Sequence, residues 1–228
     1  MMEKTRIKID STGKILAGEY SEIIINGSGK FEGESKSERI SINGAGKAYA
    51  PVETQFFSVN GIFKGEDTIK ADTLEVNGSF KGEKDDRVNK LNIDGMFKNE
   101  EGYLNAEYIE VKGTLKNEME INTDKLVVNG LLKAVDIVGR DIAILKGMDL
   151  VSLFKRNLNK KVLNKAETIT CENLYARALK CTKICADDIT LKDGCVVDFV
   201  ECNGILRVDS SCIVKNVEGT CEIIHEYQ

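Results

Sequence analysis

The sequence predicts an all-β protein wound as a parallel β-helix, a triangular solenoid of about 17 residues per coil. Three observations predict it. Glycines recur at Gly27, Gly44, Gly61, Gly78, Gly95, Gly113 and Gly130, at spacings of 17, 17, 17, 17, 18 and 17 residues. Four and two residues before each stands an apolar pair, such as Ile23/Ile25, Phe57/Val59, Leu74/Val76 and Leu126/Val128, the alternation of a strand with one buried face. The composition is that of small regular rungs, with 20 Gly, one Pro, no Trp and 6% aromatics in 228 residues.

Each unit divides into three strand-like pieces. The first carries a weaker inward pair nine and seven residues before the glycine, as in Ile69/Ala71, Leu104/Ala106 and Ile121/Thr123. The second carries the strong pair. The corner follows, typified by Asn77-Gly78 in "VNGSFKGE", where the glycine is expected to supply φ > 0 and the asparagine to tolerate the same region. The third piece opens two residues later with Gly29, Gly46, Phe63, Phe80, Phe97, Leu115 or Leu132, read as inward again. A meander of hairpins would place turn signals more often than once in 17 residues. Leucine-rich, calcium-binding nonapeptide and hexapeptide solenoids all lack a match. Parallel stacking of coils ~4.8 Å apart is what remains.

The coils are expected over residues 5–150. Residues 151–166 read as a short helical or loop insertion, with Phe154 and Leu158 at helical spacing among Lys155, Arg156, Lys160 and Lys161. Its basic amphipathic pattern could contact a membrane surface or a partner groove. The period resumes over 167–224, where Ile189/Leu191 match Leu206/Val208 and Val200 matches Val217, so these coils are expected to continue the same solenoid.

Three residues after each corner glycine stands a lysine, and Glu32, Glu66, Glu83, Glu100 and Glu118 follow two residues after theirs. Stacked, these make a charge-paired wall, which is a better reading than a polyanion track. The seven cysteines, all beyond residue 170, are an odd number without Cys-x-x-Cys spacing. Small apolar core residues in a reducing compartment are expected, with Cys185/Cys202 and Cys195/Cys212 sharing columns, and no metal. The only His is His225, and the acids alternate with lysines without converging, so no catalytic or cofactor-binding residue is expected. A net charge of −5 argues against nucleic acid as a partner. "MMEKTRIKID" shows no secretory pattern and no apolar run reaches membrane-span length, so a cytoplasmic protein is expected, with membrane association through the insertion.

Neither end carries a clear cap: Ile7 and Ile9 enter the repeat register at once, and "CEIIHEYQ" stays strand-like. Open coils invite self-association through Ile7, Ile9, Ile213, Val217, Ile223 and Ile224. The repeats of "[IV]-N-G-x-F-K-G-E" type, the "IKADTLEVNG" link and "DDITLKDGCVVDFVECNGILRVDSSCIVKNVEG" resemble the bactofilins, bacterial polymer-forming cytoskeletal proteins, over about four-fifths of the chain. The resemblance implies a right-handed β-helix that polymerises end to end without nucleotide and organises envelope or cell-wall machinery. This chain departs from the family in having more coils, a basic insertion and no Pro-rich tails. The expected function is thus a non-catalytic cytoskeletal scaffold whose partner is itself, with membrane or cell-envelope proteins as further partners and no small-molecule substrate. The alternative is a monomeric or dimeric binding platform that docks through residues 151–166.

Overall fold

The computed structural model describes residues 4–145 and 164–226. Its described residues form an all-β solenoid of about 12 turns, in which 21 strands join one parallel sheet and no helix occurs. Each strand pairs with its equivalents one coil before and after. Ile69–Val76 lies between Val52–Val59 and Asp86–Ile93, and Ser79–Gly82 lies between Ile62–Gly65 and Met96–Asn99.

The first two predicted pieces form a single eight-residue strand rather than two. In Ile69–Val76 residues 69, 71, 74 and 76 are buried, and Asp72 and Thr73 between them face out. Two successive outward residues bend the strand around a corner without interrupting its ladder. The four-residue strand that follows supplies the third face.

Burial assembles a narrow core of stacked columns. Leu74, Leu91, Ile109 and Leu126 stack in register in one column and are fully buried. In the four-residue strands the bulky member of the inward pair changes place. It comes second in Gly13/Ile15 and Gly29/Phe31, is missing in Gly46/Ala48, and comes first in Phe63/Gly65, Phe80/Gly82 and Phe97/Asn99. The rings of Phe31 and Phe63 meet edge-on at 6.3 Å between centroids, over the space that Gly46 and Ala48 leave. Phe80 and Phe97 stack at 4.8 Å, the coil spacing itself.

The corner glycines have a different cause from the one expected. None of the seven has a positive φ. A Cβ on Gly78 would instead overlap the carbonyl oxygen of Gly61, one on Gly61 that of Gly44, and the same clash recurs through Gly130. The tightness has a visible source: Asn60 N and Gly61 N both donate to Ile42 O, at 2.8 and 3.0 Å. Glycine is required by backbone-to-backbone approach, not by handedness of the turn. The asparagines likewise serve the stack, since Asn43, Asn60 and Asn77 each donate Nδ2–H to the Oδ1 of the asparagine one coil earlier, at 2.8–2.9 Å. Asn26 closes the series on Asp10 at 2.6 Å.

The later coils continue the same stack. Leu131–Ile144 pairs directly with Asn164–Arg177. The strand begins at Asn164, so residues 164–166 belong to a coil and not to the insertion. Asn164 is buried, and its Oδ1 accepts a 2.8 Å bond from Leu132 N. Phe154, Lys155, Arg156, Leu158, Lys160 and Lys161 lie outside the described residues.

Candidate functional surfaces

The two terminal coils differ. At the N-terminal end Ile9 is buried and Ile7 is partly buried against the core. Tyr20 packs on the same core and donates its hydroxyl to Leu16 O at 2.8 Å. Arg6 and Lys8 border the first strand, paired with Glu22 at 2.7 Å and Asp10 at 2.9 Å.

At the other end, Ile213–Glu218 and Glu222–Glu226 form the last described coil, and each pairs with one strand only, on the side of the preceding coil. Val217 stacks on Val200 and Ile223 on Leu206, so both continue core columns. Yet Val217 is 39% and Ile223 47% exposed, while Val200 and Leu206 are buried. Ile213 is 57% exposed but pairs with Val196 on the outer face, and Ile224 pairs with Arg207 there. Of the six residues assigned to the ends, Ile7, Ile9, Val217 and Ile223 continue core columns, and of these Val217 and Ile223 lie exposed. His225 follows Val208 in register and is exposed.

The lysine and glutamate columns meet as a continuous zigzag. Lys64 bridges Glu66 at 2.6 Å and Glu83 at 3.0 Å, Lys81 bridges Glu83 at 3.4 Å and Glu100 at 2.7 Å, and Lys98 pairs with Glu100. The hydrogen bonds from Lys81 and Lys98 hold the Glu100 carboxyl down at about 2. Lys47 reaches Glu66 at 2.8 Å and lies 4.2 Å from the Tyr49 ring, and Lys116 pairs with Glu118.

Four cysteines are in the core: Cys171, Cys181, Cys195 and Cys202. Burial pushes each thiol up to about 12, where the nucleophilic thiolate is not populated. Cys195 and Cys212 adjoin across successive coils, as expected. Cys185 and Cys202 do not share a column. Cys185 pairs with Glu201 and faces outward, whereas Cys202 stacks on Ala186, because this coil has 16 residues instead of 17. Among the described residues no group of three His, Cys, Asp or Glu side chains could hold a metal.

Grooves run along the outer side of the first face. The one over Lys36, Glu53, Lys70 and Arg87 encloses about 600 Å³. Three of its four acids are engaged singly: Glu53 by Lys36 at 3.4 Å, Glu38 by Lys4 at 3.4 Å, and Asp72 by Asn89 at 3.4 Å. No described helix is long and apolar enough to cross a membrane. Comparisons of the chain with protein-family models, curated proteins and solved structures return no match.

Sequence reasoning missed two buried acids, Asp209 and Asp86. Asp86 occupies a column between Ile69 and Leu104 and is fully buried. One oxygen accepts from Asn99 Nδ2 at 3.2 Å, and the other, Oδ1, has no hydrogen-bond partner among the described residues. Burial raises its carboxyl well above the usual range. The signal was available in the 17-residue register, as a single carboxylate in an inward column of otherwise uncharged residues.

Proposed function

We propose that the protein is a non-catalytic structural element that self-assembles end to end through its terminal coils, without nucleotide, into filaments or a scaffold. The observation that carries this reading is the last described coil. It has a strand edge with no partner among the described residues, and the core-column residues Val217 and Ile223 lie exposed beside it. An added coil would pair that edge and cover those side chains, two gains that this solenoid repeats at every internal coil. The likeness of the repeats to bactofilins supports the same reading.

The test is concentration-dependent light scattering with negative-stain microscopy on the full chain. Wild type is expected to form filaments that lengthen with concentration, and Val217→Lys/Ile223→Lys to remain as single rods. Discrete monomers of wild type at every concentration, or filaments of the double variant indistinguishable from wild type, would overturn it.

A further inference from the structure

The charged wall breaks over a run of successive coils. Lys116, Lys133, Lys165 and Lys180 stack in register in four successive coils. Two residues after them stand Glu118, Val135, Glu167 and Thr182, so the glutamate column is interrupted twice. Lys116 is taken up by Glu118. Lys133, Lys165 and Lys180 are exposed, and among the described residues none makes a direct ion pair, though the Asp198 carboxylate acts on Lys180 through space. Every wall lysine from Lys47 to Lys116, by contrast, is directly paired. These lysines, with Glu118 and Glu167, border a groove of about 300 Å³ whose floor includes Ala134 and Ala166.

Three like charges directly opposite one another at ~4.8 Å repel, and the molecule tolerates that cost here while offsetting it elsewhere. Because the coils are parallel, the ammonium groups repeat along the rod axis and define a line instead of a point. A lysine ammonium binds phosphate as a compact charge with three donors and does not need the planar fork geometry that arginine imposes. A linear anion with phosphates repeated along its length satisfies all three at once. We propose that Lys133, Lys165 and Lys180 form a binding site for a soluble linear oligophosphate lying along the rod axis. The site is separate from the terminal coils and stands whether or not the rods polymerise.

The test is calorimetric titration of the full chain with inorganic tripolyphosphate and with long-chain inorganic polyphosphate at low ionic strength. Both are expected to bind, weakening as salt is added, and affinity should fall at least about tenfold in Lys133→Gln/Lys165→Gln/Lys180→Gln, the loss of several charge-assisted contacts. Lys64→Gln/Lys81→Gln, in the paired wall, should bind as wild type does. A second readout needs no variant: oligophosphate should protect Lys133, Lys165 and Lys180 of the wild type from acetylation, and leave Lys64 and Lys81 unchanged. Absence of binding, equal loss in both variants, or protection spread evenly over all lysines would overturn the proposal. Sedimentation with phosphatidylglycerol vesicles in the absence of any binding to free oligophosphate would also overturn it, by assigning the lysines to a lipid surface.

Discussion

The coils up to Gly130 and those after Asn164 share a cross-section but hold their corners by different means. In the first block backbone meets backbone: glycine on glycine, with an asparagine ladder alongside. In the second, close backbone approach persists at Gly204 and Gly219, and carboxylates reach across as well. Asp188 Oδ1 accepts from Ile205 N at 2.8 Å, and Asp209 accepts from Asp193 N at 2.8 Å and from Ser211 N at 2.7 Å. The registers follow suit, with Ile169, Ile184, Val200 and Val217 in one column at spacings of 15, 16 and 17 residues. A backbone-stacked corner tolerates one geometry, and its glycine spacing departs from 17 only once, between Gly95 and Gly113. A side-chain-capped corner absorbs a residue gained or lost, so its period drifts.

The sharpest way to break this contrast is Gly78→Ala. Its methyl would meet a backbone carbonyl that cannot turn aside, so a loss of about 3 kcal/mol or more is expected in urea unfolding. Gly65→Ala, where the nearest neighbour is the Ile69 side chain at 3.2 Å, should be mild and so separates crowding from glycine content.

Two buried aspartates should then respond to pH in opposite directions. Burial would raise the Asp209 carboxyl, but bonds from Ser211 and Asp193 N outweigh it and hold the group at about 2. Its contribution is present above the unfolded carboxylate value and is lost as pH falls towards 2. Asp209→Ala should cost about 1–3 kcal/mol at pH 7, by stranding its donors, and the deficit should shrink in acid. Asp86 has a raised value, so its ionisation cost is absent below about 3.8 and grows as pH rises above that. Asp86→Asn should therefore stabilise at pH 7 and be near neutral at pH 3.5. Parallel denaturation curves at the two pH values check both.

Smaller effects distinguish the two stretches of wall. Lys64→Ala should lower the unfolding midpoint slightly, and less so in high salt, because it removes bridges to Glu66 and Glu83. Lys165→Ala should raise it slightly by relieving the stacked lysines. Thiol labelling of the native protein gives a final check. Cys185, Cys212 and Cys221 should react, and Cys171, Cys181, Cys195 and Cys202 only on unfolding.

The repeat made the fold readable before any coordinates, because one period of 17 places every inward residue of a coil at once. Val76, Phe80, Lys81 and Glu83 all stand where that period puts them. What it could not convey was the reason for Gly78, because the clash that excludes a side chain is with Gly61, a neighbour only after winding. Cys185 was misplaced for a related cause: a constant period carried past residue 164 puts it one step out of phase, and one step moves a side chain to the opposite face. At the ends, the apolar residues were visible, but Ile213 and Ile224 could not be told from Val217 and Ile223 without the pairing of the last strands.

The asparagine ladder has one further consequence. Asn26, Asn43 and Asn60 each donate towards the first coil and accept from the next, so a rung in this stretch can be followed by another identical one. Duplicating a single 17-residue unit in this stretch would add ~4.8 Å of length and leave the perimeter, core volume and seam unchanged. Length is then a countable property of the gene, and the rod a ruler graduated in coils.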